Sequence, residues 1–166
     1  MIDLTRESIV LYHGSNVSFE QVSLIHSKDK RDFGKGFYTT TYRGQADAWA
    51  RNLYLRYGGD RYLYTFEIRL SNELKILQFE GISGEWLNMI KNNRIFGGIQ
   101  HDYDIVIGPV ADDNTTRTIA LFTSGVYTEA MAMEQLRFFK ANDQVSFHTG
   151  KAIQCLKVIN KEILCE

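Results

Sequence analysis

Apolar residues in this chain recur with a period of two in some stretches and of 3.6 in others, with no regular strand–helix–strand rhythm. Such a mixture does not build a doubly wound parallel sheet, and it predicts an α+β fold. Residues 8–13 form a short apolar strand ended by Gly14-Ser15-Asn16, and residues 37–41 a β-branched and aromatic one. Over residues 44–57, Ala46, Trp49, Ala50 and Leu53 stand at helical spacing before Gly58-Gly59 stops the helix. Residues 61–70 alternate, with Tyr62, Tyr64, Phe66 and Ile68 on one side. Further strands are predicted over 74–79, 103–110 and 144–149 and near 157–159. A short helix is predicted over 85–91, longer ones over 115–122 and 128–139, and another short one from Lys151. Residues 16–35 are mostly polar and read as a long loop with room for one helical turn.

No repeat or linker interrupts the pattern, and 166 residues suit a single domain that buries roughly two thirds of its unfolded surface. The formal charge of −1 provides no global field for nucleic acid or an anionic membrane. Lys28, Lys30 and Arg31 make a short basic patch that reads as a solvated loop. Cys155 and Cys165 are too few for a disulfide framework, and no His/Cys spacing suggests a metal. With no leader-like start and no apolar run near the ~20 residues of a membrane span, the expectation is a cytoplasmic protein that engages no membrane.

Two segments carry candidate chemistry. The first strand ends in Tyr12-His13-Gly14-Ser15, where a glycine lets another group approach the backbone closely. A flat amide needs that access to bond both the N–H and the C=O of Gly14. The second segment is Asp32-Phe33-Gly34-Lys35-Gly36-Phe37-Tyr38-Thr39-Thr40. Its two glycines lead straight into an aromatic strand and mark a tight approach to a ligand or to neighbouring backbone. The third glycine and the strand-then-helix context of a dinucleotide fingerprint are missing. Taken singly, each segment also has an ordinary structural reading, as a core histidine and a plain turn.

Together, followed by a helix with Ala46 and Trp49, the two segments resemble the ADP-ribosyltransferase superfamily. The likeness is to the poly(ADP-ribose) polymerase and diphtheria-toxin branch, where His, Tyr and Glu from three strands mark the NAD site. It runs over residues 9–50 and by strand order beyond. The whole chain is also similar to an uncharacterised bacterial family assigned to this fold, in which these two segments and residues 103–113 are typical. The resemblance implies an α+β domain with a split mixed β-sheet and flanking helices, and NAD as substrate. It implies that His13 bonds the nicotinamide-side ribose and that Gly14 holds the carboxamide, with Ser15 and Gly36 in the same binding site. Tyr38 would stack on the nicotinamide ring, and Trp49, eleven residues on, would be a second stacking aromatic. Two aromatic faces around a planar cation contribute about 1 kcal/mol each; the competing reading of Tyr38 and Trp49 is core packing.

The third mark departs from the pattern. Chain order puts the catalytic residue at the start of the strand Asn142-Asp143-Gln144-Val145-Ser146-Phe147-His148-Thr149, which has no glutamate. Side chains alternate along a strand, so a register shared with Ser146 and His148 offers Gln144 and the shifted register offers Asp143. Glutamine keeps the hydrogen bonds of a glutamate and loses its charge, a loss worth roughly 10² to 10³ in rate. A carboxylate from elsewhere, such as Asp112, Asp113 or Glu129, is an alternative source of that charge, although Asp112-Asp113 also reads as a helix cap.

His101 and His148 have no partner at metal or triad spacing, and Arg51, Arg56 and Arg61 read as a solvated helix face. The resemblance therefore implies a bacterial mono-ADP-ribosyltransferase of toxin, effector or defence type with a His13-Tyr38-Gln144 site. Its acceptor would be a macromolecule, and a neutralising antitoxin is an implied partner. The rival readings are a module that binds NAD or ADP-ribose without turnover and an NAD glycohydrolase. A 2′-phosphotransferase would need a basic cluster that these scattered arginines do not supply.

Overall fold

The computed structural model describes residues 2–165, apart from the side chain of Asp113. Its elements are β1 (Ile9–Ser15), β2 (Phe37–Thr39), α1 (Arg43–Tyr57), β3 (Tyr62–Ile68), β4 (Ile76–Gln78) and α2 (Gly84–Phe96). They continue with β5 (Ile105–Pro109), α3 (Asp113–Thr123), α4 (Glu129–Leu136), β6 (Asp143–Phe147), α5 (Gly150–Ile153) and β7 (Leu156–Ile163). The class is mixed α+β in a single domain. One sheet has the order β1-β3-β7 and the other β2-β6-β5-β4, with β4–β5 the parallel pair. Between them runs an isolated antiparallel bridge, in which Tyr12 and Thr40 exchange N–H···O bonds of 2.8 and 3.0 Å.

Alternation along β5 and β6 sorts residues between two cores. Ile105, Ile107, Val145 and Phe147 face the three-stranded sheet and pack with Leu11, Phe37, Tyr64, Phe66 and Ile68. Val106 turns to the other side, where Phe33, Trp86, Leu87, Ile90, Ile119 and Phe122 form the second core under α2, α3 and α4. The third layer is α1 on the outer face of β1 and β3, where Leu63 and Thr65 are also buried. β3 is thus covered on both faces.

α2 and β7 run well beyond the range that the sequence pattern predicts. α2 passes through Asn92-Asn93 to Gly97 because Asn93 is fully buried, its amide donating to Met89 O and accepting from Gln100 N. β7 extends to Ile163 because its exposed, polar residues pair with the whole of β3, a partner that local periodicity does not reveal. The segment from 16 to 36 has no helix; Phe19 ties it down by stacking on Tyr64 at 4.0 Å while its N–H donates to the Tyr64 hydroxyl.

Gly14 sets how closely α1 approaches β1. A Cβ there would lie 1.8 Å from Ala46 O and 2.7 Å from Ala50 N, both backbone atoms of the helix. Gly14→Ala is expected to destabilise the fold by about 2–3 kcal/mol, the upper range for overpacking. Urea unfolding would show a lower midpoint at unchanged slope; a wild-type midpoint would mean that α1 has room to shift.

Candidate functional site

The sheet splits at one residue. Extending the Tyr12–Thr40 register would pair Gly14 with Tyr38, but Tyr38 C=O accepts instead from His13 Nδ1 at 2.6 Å. Backbone groups alternate sides along an antiparallel strand, so Gly14 turns its N–H and C=O the same way as Tyr12, away from β3. Among the described residues, nothing in β2 or any side chain meets them. A donor and an acceptor two bonds apart on one open edge are what a planar primary carboxamide pairs with.

His13 stands beside this edge on the opposite face. Its ring lies 4.3 Å from Phe37 and 5.8 Å from Phe19 between centroids, with Tyr64 behind. Burial among these aromatics pushes its pKa down to about 4, against the opposing pull of the Tyr38 carbonyl; the nearby Arg31 lowers it further. A carbonyl only accepts, so Nδ1 carries the proton and the neutral ring leaves Nε2 bare. Nε2 has no protein partner among the described residues and is not sealed from solvent. It is an acceptor aimed at nothing in the protein, suited to a hydroxyl.

Tyr38 and Gln144 occupy the second core's side of the four-stranded sheet. Tyr38 pairs with Ser146, and Gln144, Ser146 and His148 share that face. The Tyr38 O–H donates to Gly34 O at 2.7 Å and accepts from Phe33 N–H at 3.1 Å. Burial, and secondarily the charge of Asp32, hold that phenol well above its ordinary pKa. Gln144 Nε2 donates to Asp32 Oδ2 at 2.9 Å and to Pro109 O at 3.1 Å. The register thereby selects Gln144 over Asp143 as Tyr38's neighbour. Asp143 instead clasps the turn into α1, accepting from Thr41 N at 2.8 Å and from the hydroxyls of Thr40 and Thr41.

His148 is not the isolated histidine that its spacing suggests. Its Nδ1–H donates to Lys35 O and its Nε2 accepts from Ser146 O–H, both at 2.8 Å. Burial lowers its pKa to about 4, with the His101 ring 4.6 Å away adding to the effect. Ser146 is fully buried and His148 5% exposed, so this serine–histidine pair is closed to substrate and ties the loop to β6. Gly36 serves the same junction: a Cβ would meet Phe147 O at 2.7 Å and His148 Nδ1 at 2.8 Å. Ser15's hydroxyl donates to Val17 O and closes the turn that ends β1.

Trp49 is half-buried on α1 and packs in neither core. Arg31 is exposed, 5.7 Å from the Tyr38 ring centroid, with no carboxylate at ion-pair distance among the described residues. Arg51 and Arg56 stay exposed while Arg61 pairs with Asp47, so these three do not gather. Asp112 caps α3, Glu129 accepts from Asn88 on α2, and the Asp113 side chain lies outside the described residues. A shallow depression of about 750 Å³, lined by Leu77, Phe79, Ile82, Met89 and Tyr103 among others, includes none of the expected site residues. Among the described residues, no three potential metal ligands converge and no helix is long and apolar enough to cross a membrane. What the sequence reading missed is Asp32, whose only signal was a carboxylate placed directly before Phe33-Gly34-Lys35-Gly36.

A family model described as "Protein of unknown function (DUF3990)" matches residues 9–158. No curated protein and no solved structure matches the chain.

The two histidines with pKa near 4, and His101 shifted the same way by burial, make stability depend on pH. The unfolded chain takes up these protons from about pH 6.5 downwards, whereas folded His13 and His148 take theirs up only near 4 and folded His101 later than an ordinary imidazole, so the unfolded state binds more protons between. Thermal midpoints are expected to be flat above pH 7 and to fall as pH drops from about 6.5 towards 4. Imidazole NMR should show His13 as the neutral Nδ1–H tautomer at pH 6; a protonated ring there would overturn the assignment.

Proposed function

The chain belongs to the DUF3990 family, and from the geometry at its split sheet we propose that it transfers a single ADP-ribose from NAD to a macromolecule. The observation that carries this reading is the open edge at Gly14 with the bare Nε2 of His13 beside it. Gly14 N–H would donate to the nicotinamide carboxamide oxygen and Gly14 C=O accept from its nitrogen. His13 Nε2, neutral at pH 7, would accept from a ribose hydroxyl. Trp49, an aromatic packed in no core, and the Tyr38 ring, which already attracts the Arg31 guanidinium, suit a planar cation. Arg31 supplies a positive charge that a diphosphate needs.

Residues from β1, β2 and β6 fall in the chain order that the resemblance to ADP-ribosyltransferases requires. NAD supplies an activated glycosidic bond, and the protein's share is to hold both sides of it and to stabilise the charge that develops when it breaks. Gln144, a neutral amide where a glutamate is expected, favours one transfer over chain elongation. It also supports the second reading, a domain that binds NAD or ADP-ribose without turnover. Water as acceptor would make the same site an NAD glycohydrolase. A toxin, effector or defence role, and with it a neutralising protein, follows only from the resemblance.

The pure chain, incubated with adenylate-labelled NAD and a cell lysate, is expected to release nicotinamide and to label one class of macromolecule. His13→Ala, checked for folding by its thermal midpoint, should lose at least tenfold in both. Trp49→Ala should weaken NAD binding about fivefold, as loss of about 1 kcal/mol of stacking implies. Binding without nicotinamide release would establish the binding-module reading, and absence of both would end the assignment.

A further inference from the structure

Where the resemblance calls for glutamate, the chain has Gln144, yet a carboxylate stands within hydrogen-bond distance of that side chain. Asp32 Oδ2 and Pro109 O are both acceptors, so the Gln144 amide must present its nitrogen to them, and both its hydrogens are used. Gln144 Oε1 is left with no protein partner among the described residues, in a residue that is 4% exposed. Asp32 is itself fixed from three sides: Arg94 donates to Oδ1 from Nη2 at 2.6 Å and Nε at 3.1 Å, and Ala111 N–H to Oδ2 at 3.2 Å. The loop before β2, α2, the turn after β5 and β6 thus converge on one carboxyl group. The side chain of Asp32 is 10% exposed and that of Arg94 27%, so the carboxyl is the deeper member of the ion pair.

We propose that Asp32 and Gln144 divide between them the work of the absent glutamate: Gln144 Oε1 accepts from the ribose hydroxyl, and Asp32 supplies the negative charge. This rests on the NAD reading above. In the transfer, the C1′–N1 bond breaks with its electron pair going to the pyridinium nitrogen, and nicotinamide leaves neutral. A lone pair of the acceptor forms the new bond to C1′, and the acceptor's proton passes to solvent. The positive charge that grows on the ribose between these events is what a buried carboxylate stabilises. Gln144 keeps Asp32 turned to the Tyr38 face, where the Asp32 charge is already felt at the phenol.

The test measures nicotinamide release, NAD affinity by calorimetry and thermal midpoint for four proteins. Asp32→Asn keeps the size of the side chain and removes the charge; kcat should fall 10²- to 10³-fold with the NAD dissociation constant within about threefold of wild type. Arg94→Gln loosens the tie but leaves the charge, and kcat should stay within about tenfold. Gln144→Glu sets two carboxylates in contact, so kcat should fall and the pH profile acquire a new ionisation shifted to higher pH. A rise in kcat for Gln144→Glu, or unchanged kcat for Asp32→Asn, overturns the proposal, since Gln144 would then be a weakened glutamate site on its own. Equal losses for Asp32→Asn and Arg94→Gln, tracking their midpoints, also overturn it and make the pair a structural tie. If the wild-type chain neither binds NAD nor releases nicotinamide, the NAD reading fails as well; if it does both, only the division of labour is at stake.

Discussion

The hydrogen bond from His13 Nδ1 to the carbonyl of Tyr38 decides where the two sheets part company. Without it, that carbonyl would be free to take the N–H of Gly14, and β1 and β2 would zip together beyond the Tyr12–Thr40 bridge. The imidazole does this with its proton on Nδ1, and as a neutral ring it leaves Nε2 bare. Phe37, Phe19 and Tyr64 enforce that state by excluding the water that a charged ring would need. The Tyr38 carbonyl thus fixes the tautomer, three aromatics around the ring keep it neutral, and the bond leaves a backbone edge open. An open edge inside a domain is costly unless water or a ligand meets it.

The other face of the four-stranded sheet shows a second way of burying polarity. Gln144 and Ser146 of β6, and His148 just after it, alternate towards a core of otherwise apolar side chains. Each has a partner: Asp32, the His148 ring and Lys35 O. Two of these partners come from the loop before β2, which explains why a long segment without helix or strand holds one conformation. His101 Nε2 donates to Phe33 O at 2.8 Å and adds a further tie to the same loop. The glycines belong to the same account, since Gly36 lets β2 and β6 approach and Gly34, with φ +90, turns the chain.

Much of this architecture is legible in the sequence. Alternation and helical spacing locate α1, β3 and β5 to within a few residues, because each is covered on a face whose period local sequence records. Asp112 reads correctly as a cap because capping is a contact between near neighbours. Legibility fails where the deciding contact is distant. Nothing in Asn92-Asn93 announces a helix interior, and nothing in the mixed, exposed run 157–163 announces a strand of that length.

The same division holds for the candidate site. The sequence alone determines which residues are at hand: a histidine with glycine after it, an aromatic strand with Tyr38, and an amide at Gln144. The tertiary structure alone decides what they do. It chooses Gln144 over Asp143 by register, closes Ser146 and His148 into a buried tie, and brings Asp32 from 112 positions away to the amide of Gln144. The reason is that a side chain's identity is written at its own position, whereas its partner depends on which strands pair and in what register. Both are set by non-local burial that no window of sequence contains.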